Sequence, residues 1–217
     1  MNLRPAVGEN AALSYKRMRS IIGFVGLTLP ITCLIAGLAD GHLESSISYY
    51  YYTNVTIVFT GTLCVVGVFL LAYRLGSLAI ESSATTLAGL AALGVALFHT
   101  APQGATLTQL RESNVHTVCA ATLFVLLGFI SLFIFPYDVP GTAAAMLYRI
   151  LGGLILLSVL LIPVLNKVAH EFFNRDHVFF TLEAVCVIAF SLSFIAKGHA
   201  TIIDREWDKF ADVEGAA

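Results

Sequence analysis

The sequence predicts an all-α polytopic membrane protein with six transmembrane helices in one bundle. Composition is the first reason: 58% of the 217 residues are apolar and 12% charged, with a mean hydropathy of +0.84, well above the soluble average. The second is that apolar runs near the ~20 residues needed to cross a bilayer core recur along the chain. The third is chemical. Backbone polar groups cannot go unpaired in hydrocarbon, and these runs are too long and continuously apolar for barrel strands, which leaves helices.

The spans are expected at 20–39, 55–73, 84–100, 115–135, 147–166 and 178–196. Residues 1–20 are polar and basic, and the run behind them is too long for a signal-peptide core and has no clear cleavage site, so it is expected to stay in the chain. Pro30 and Pro163 each remove a backbone donor and predict kinks in the first and fifth helices. SISYYYYTN leads into the second helix. Ala88, Ala92 and Ala96 in the third, and Gly152 and Gly153 in the fifth, are small residues that let helices approach. FTGTLCVV (59–66) resembles FTLEAVCV (180–187), which reads either as a parallel repeat or as chance likeness between apolar helices. Short connections leave no room for a soluble domain. Residues 1–197 therefore form the transmembrane domain, and 198–217 a polar cytoplasmic tail, helical or disordered.

Orientation follows from Lys and Arg. With the N-terminus cytoplasmic, Arg4, Lys16, Arg17, Arg19, Arg74, Arg149, Lys197, Arg205 and Lys209 fall inside, and Arg111, Lys167 and Arg175 outside. That imbalance predicts N-in/C-in. Lys197, ending the sixth span, is expected to snorkel to the cytoplasmic interface. A net charge of −2 offers no field for nucleic acid. Cys33, Cys64, Cys119 and Cys186 lie in apolar runs without CxxC spacing and read as small hydrophobes. Asn54-Val55-Thr56 matches a glycosylation sequon, read as a chance match against the membrane.

On this topology the tyrosines lie on the outer side. An aromatic belt is the ordinary role of tyrosine at an interface, but four consecutive helical positions spread around most of the helix, so at least one of Tyr49 to Tyr52 must point toward the bundle. Five histidines, His42, His99, His116, His170 and His177, fall at or near outer helix ends, with Asp40, Glu44, Glu112, Glu171 and Asp176; His199 lies inside. His99 is expected to close helix three and His116 to open helix four. Glu183 is the most specific feature: it lies inside the last span, ~7 Å below the outer boundary at 1.5 Å per residue. A carboxylate there faces the interior, a cavity or a partner. The candidate ligand-binding set is Ser48, Tyr49, Tyr50, Thr53, His99, His116 and Glu183.

SISYYYYTN…FTG, GVFLLAY, ALFHTAP and FFTLEAV…FSLSFIAKG together resemble an uncharacterised bacterial family of six-helix membrane proteins, a domain of unknown function, and more distantly the DRAM-like membrane proteins. The resemblance implies a multi-pass protein of the bacterial cytoplasmic membrane and brings no activity or cofactor. The family pattern often has an Arg-Asp pair where Thr56 and Ile57 stand here, and proline where His99 stands, which weakens any charge-based site at that entrance.

Three functions are compatible with these residues. One is binding or transport of a small molecule or lipid in an extracytoplasmic-facing pocket. Another is a metal-dependent intramembrane hydrolase, with His99, His116 and His177 as ligands, His170 as a further candidate, and Glu183 or Ser48 acting on bound water; no HxxxH, HExxH or CxxC motif accompanies them. The last is an oligomeric channel or partner subunit, for which no filter-like repeat or row of charges is present.

Overall fold

A computed structural model describes residues 4–73, 79–102, 104–168 and 177–214. These residues are helical and without strands, in six α-helices: α1 Arg4–Ala39, α2 Thr56–Ala72, α3 Ala79–Leu97, α4 Leu107–Phe129, α5 Ala143–Val168 and α6 Val178–Glu214. A 3-10 helix, Ile47–Tyr52, precedes α2, and α4 continues as a π-helical turn, Ile130–Ile134, and a 3-10 turn, Phe135–Asp138. α1 and α5 run on through Pro30 and Pro163.

Several boundaries differ from the expected ones. α4 begins at Leu107 because Thr106 and Gln109 form a capping box, the Thr106 hydroxyl accepting from the Gln109 N–H at 3.4 Å and Gln109 Oε1 accepting from the Thr106 N–H at 2.9 Å. That pairing satisfies exposed first-turn amides and lets the helix start in polar sequence. His116 therefore sits well inside α4 rather than opening it, and His99 lies beyond α3, which ends at Leu97. α6 runs on through residues 198–214.

Each helix packs against the next in chain order, and α6 closes onto α1, giving a ring. Small residues set its close contacts. Ala88, Ala92 and Ala96 are buried. Gly67 and Gly89 bring α2 and α3 together backbone to backbone, since a Cβ on Gly89 would stand 2.8 Å from the Gly67 carbonyl. Gly152 meets the Leu132 backbone, whereas Gly153 faces open space, so only the first of that pair makes a close approach.

The outside of the ring is apolar: Ile57 is 84% exposed, and Leu38, Leu97, Val118 and Leu160 are also exposed. Hydroxyls of Thr62, Thr85, Ser191 and Ser193 are buried within. Such an exterior is unfavourable in water and favourable in lipid. Among the described residues, four helical stretches are long and apolar enough to cross a membrane, Lys16–Ala39, Leu107–Tyr137, Ala143–Leu165 and Val178–His199; two shorter apolar ones are Thr56–Ala72 and Ser82–Leu97. The architecture is that of a multi-pass membrane protein.

One end of the ring gathers Arg19, whose Nε donates to the Tyr73 hydroxyl, and Ser20, which is 3.4 Å from His199 Nδ1. Lys197 belongs to this end, and it does not snorkel. It is only 5% exposed; its Nζ donates to the Phe135 carbonyl at 2.9 Å and lies 5.6 Å from the ring centroids of Phe135 and Tyr148. The π-helical turn and the following 3-10 turn depart from the regular α ladder, and an acceptor for the ammonium lies where they meet.

Candidate functional site

The opposite end is closed by the 3-10 helix Ile47–Tyr52. Ser46 caps it, its Oγ accepting from the Ser48 N–H at 3.1 Å. Thr53 ends it, donating its N–H at 3.2 Å and its hydroxyl at 2.9 Å to the Tyr50 carbonyl. α6 anchors this cap. Glu183 accepts the Ser46 hydroxyl at 2.8 Å and the Ile47 N–H at 2.7 Å, and the Phe180 N–H donates to the Ser45 carbonyl at 3.0 Å.

On the far side of the cap, His116 Nδ1 stands 2.8 Å from the Phe98 carbonyl and therefore donates to it. Its Nε2 is then the acceptor for the Ser48 hydroxyl at 3.0 Å. A neutral imidazole satisfies both contacts, and the Phe98 carbonyl fixes its tautomer. His116 is 4% exposed.

Beneath the cap lies a cavity of about 70 Å³, lined by Ser48 and Glu183 at its polar end and by apolar side chains from α1, α2, α3, α4 and α6. Phe59, Leu63, Leu123, Phe124 and Leu127 are among its walls. A water needs roughly 10–15 Å³ of such space, so on the order of five waters or one small molecule would fill it.

Of the candidate ligand-binding residues, the structure thus joins Ser48, His116 and Glu183 through the cap. It places the others in different roles. Tyr50 is 1% exposed, packs 6.0 Å from the Phe180 ring and accepts the Glu44 N–H at 3.5 Å, filling the space over Gly37. Burial holds its phenol above the ordinary tyrosine value. Tyr49 is half-buried, and its N–H donates to the Ser46 carbonyl at 3.2 Å. Thr53 is a cap residue. His99 lines a separate open cleft with Tyr51, Thr60 and Ala96, and its ring stacks on Tyr51 at 3.8 Å. Exposed Tyr52 donates to the Thr100 carbonyl at 2.6 Å. The four tyrosines split between cap core and surface.

Among the described residues, no three His, Cys, Asp or Glu side chains group closely enough to hold a metal. Both His116 nitrogens are engaged, and His42 and His177 are exposed. His170, Glu171 and Asp176 lie outside the described residues. Sequence reasoning missed Ser46, although a serine just before the aromatic run is the residue type that caps a helix.

A serine hydroxyl aimed at an imidazole invites comparison with acyl-transfer chemistry. The nearby amides are committed elsewhere: the Ile47 N–H to Glu183, the Ser48 N–H to Ser46 and the Tyr49 N–H to the Ser46 carbonyl. No pair of adjacent cap amides is left to stabilise an oxyanion. Comparisons with protein-family models, curated proteins and solved structures give no match and none bears on the resemblance noted above.

Proposed function

We propose that this chain is a six-span membrane protein, N-in/C-in, that binds or transports a small molecule or lipid through the cavity beneath its extracytoplasmic cap. The carrying observation is the cavity itself, with apolar walls and one polar end where Ser48 and Glu183 meet. An intramembrane carboxylate beside such a cavity is the expected mark of a binding site.

The ring supports the six-span reading for the two shorter helices. α2 and α3 pack on each other and on α1 and α4 respectively. α3 reaches from the Lys197 end, where the Thr85 hydroxyl donates to the Tyr73 carbonyl at 3.1 Å, to the cavity at Val95. The excess of basic residues favours the Lys197 end as cytoplasmic and the cap as outward.

The test is native mass spectrometry of protein released from its own membranes. The wild type is expected to carry a small non-covalent adduct, and Ala120→Trp, which fills the cavity, to lose it while remaining folded. Wild-type protein with no adduct, or an adduct unchanged by Ala120→Trp, would count against the pocket.

A further inference from the structure

We infer that the cavity selects small apolar molecules bearing a hydrogen-bond donor, best a protonated amine, and rejects anions; this rests on the binding reading above. The direction of each hydrogen bond around the polar end carries the argument. Ser48 commits its only hydroxyl proton to His116 Nε2, so what its oxygen offers a ligand is lone pairs. Glu183 takes the Ser46 hydroxyl between its two oxygens and the Ile47 N–H on Oε2, with the Ser48 amide also turned toward it; as a carboxylate it is acceptor-only, and these donors leave the rest of its roughly four lone-pair sites for a ligand. Both polar groups at the end of the cavity therefore present acceptors.

Charge points the same way. Among the described residues, no Lys or Arg lines the cavity; Lys197 follows Glu183 by fourteen residues on α6, ~21 Å along the helix axis. His116 satisfies its contacts as a neutral ring, so among the described residues the cavity lining carries no fixed positive group to hold a carboxylate or phosphate. A ligand anion would face the Glu183 carboxyl and the Ser48 lone pairs without a donor. An alkylammonium meets both, and its hydrocarbon part faces Leu63, Phe124 and Leu127. Pairing a buried carboxylate with a hydrogen-bonded cation is how such a charge is retained in a low-dielectric site.

Size restricts the class further. The cavity volume of about 70 Å³ holds one molecule of roughly the bulk of five waters, so a phospholipid would leave most of itself outside. The expected ligand is a short-chain or monocyclic amine, with the corresponding alcohol a weaker competitor.

A matched series tests this on the full chain in nanodiscs: n-hexylamine, 1-hexanol and hexanoate, titrated calorimetrically at neutral pH against protein-free nanodiscs. Wild-type protein is expected to bind the amine at least tenfold tighter than the alcohol and to show no saturable binding of hexanoate. Glu183→Gln is expected to bring the amine to the level of the alcohol. The wild-type order alone decides the matter if that variant does not fold. Hexanoate binding equal to or tighter than the amine would overturn the inference while leaving the pocket standing. Binding of none of the three would overturn it too, and if Ala120→Trp also kept its adduct the pocket would fall with it.

Discussion

Single residues at the cap do work that their types alone do not announce. The buried Tyr50 is held above the ordinary tyrosine value of 10.0 first by desolvation, and exposed Tyr52 is raised as well. A phenol whose folded pKa is raised keeps its proton to higher pH than in the unfolded chain. Its stabilising contribution is therefore complete below about pH 10 and is lost as pH rises through the folded value. Thermal unfolding in nanodiscs should show stability falling above that pH, and Tyr50→Phe should flatten the fall; an unchanged profile would mean that the phenol is not held protonated by the fold. At the other end, Lys197 shows what a sequence conceals. Its place at the end of an apolar run suggests snorkelling; Pro136 marks a break in the helix, but nothing in the sequence connects Lys197 with the Phe135 carbonyl, 62 residues away.

At the scale of elements, the cap and α6 form one unit through Glu183 and Phe180. Ser46→Ala removes the hydroxyl that both caps the 3-10 helix and bonds Glu183, at a cost of about 1–3 kcal/mol if the carboxyl is left short of a donor. Hydrogen exchange over residues 46–53 should speed up in that variant, while exchange in α5, which does not line the cavity, stays as in the wild type. Equal change in both would argue against a locally anchored cap. The apolar runs made the helices legible, because hydrocarbon permits little else. Their ends were less so. α4 starts early through Thr106 and Gln109, a capping pattern hidden in a polar loop, and that shift moved His116 from the mouth of the helix to its interior. Ser48 and His116 are 68 residues apart, and no local spacing rule connects them. The depth of Glu183 could be read from FFTLEAVCV; its partners could not.

For the whole molecule, the ring gives two unlike ends. One holds Arg19 over Tyr73 and Lys197 over Phe135, with the Phe194 ring 6.4 Å from Tyr73 and 5.0 Å from Phe135. The other holds the cap over its cavity. Every helix has neighbours on both sides, so none stands outside the bundle. The account depends on these ends lying on opposite sides of a membrane, with the cap outside. Thiol labelling tests this most directly. In a chain whose four cysteines are replaced, Asn54→Cys beside the cap and Arg17→Cys at the opposite end are each exposed positions. An impermeant maleimide should modify residue 54 in intact cells and residue 17 only after lysis. Labelling of residue 17 in intact cells, or protection of residue 54 until lysis, would contradict the account.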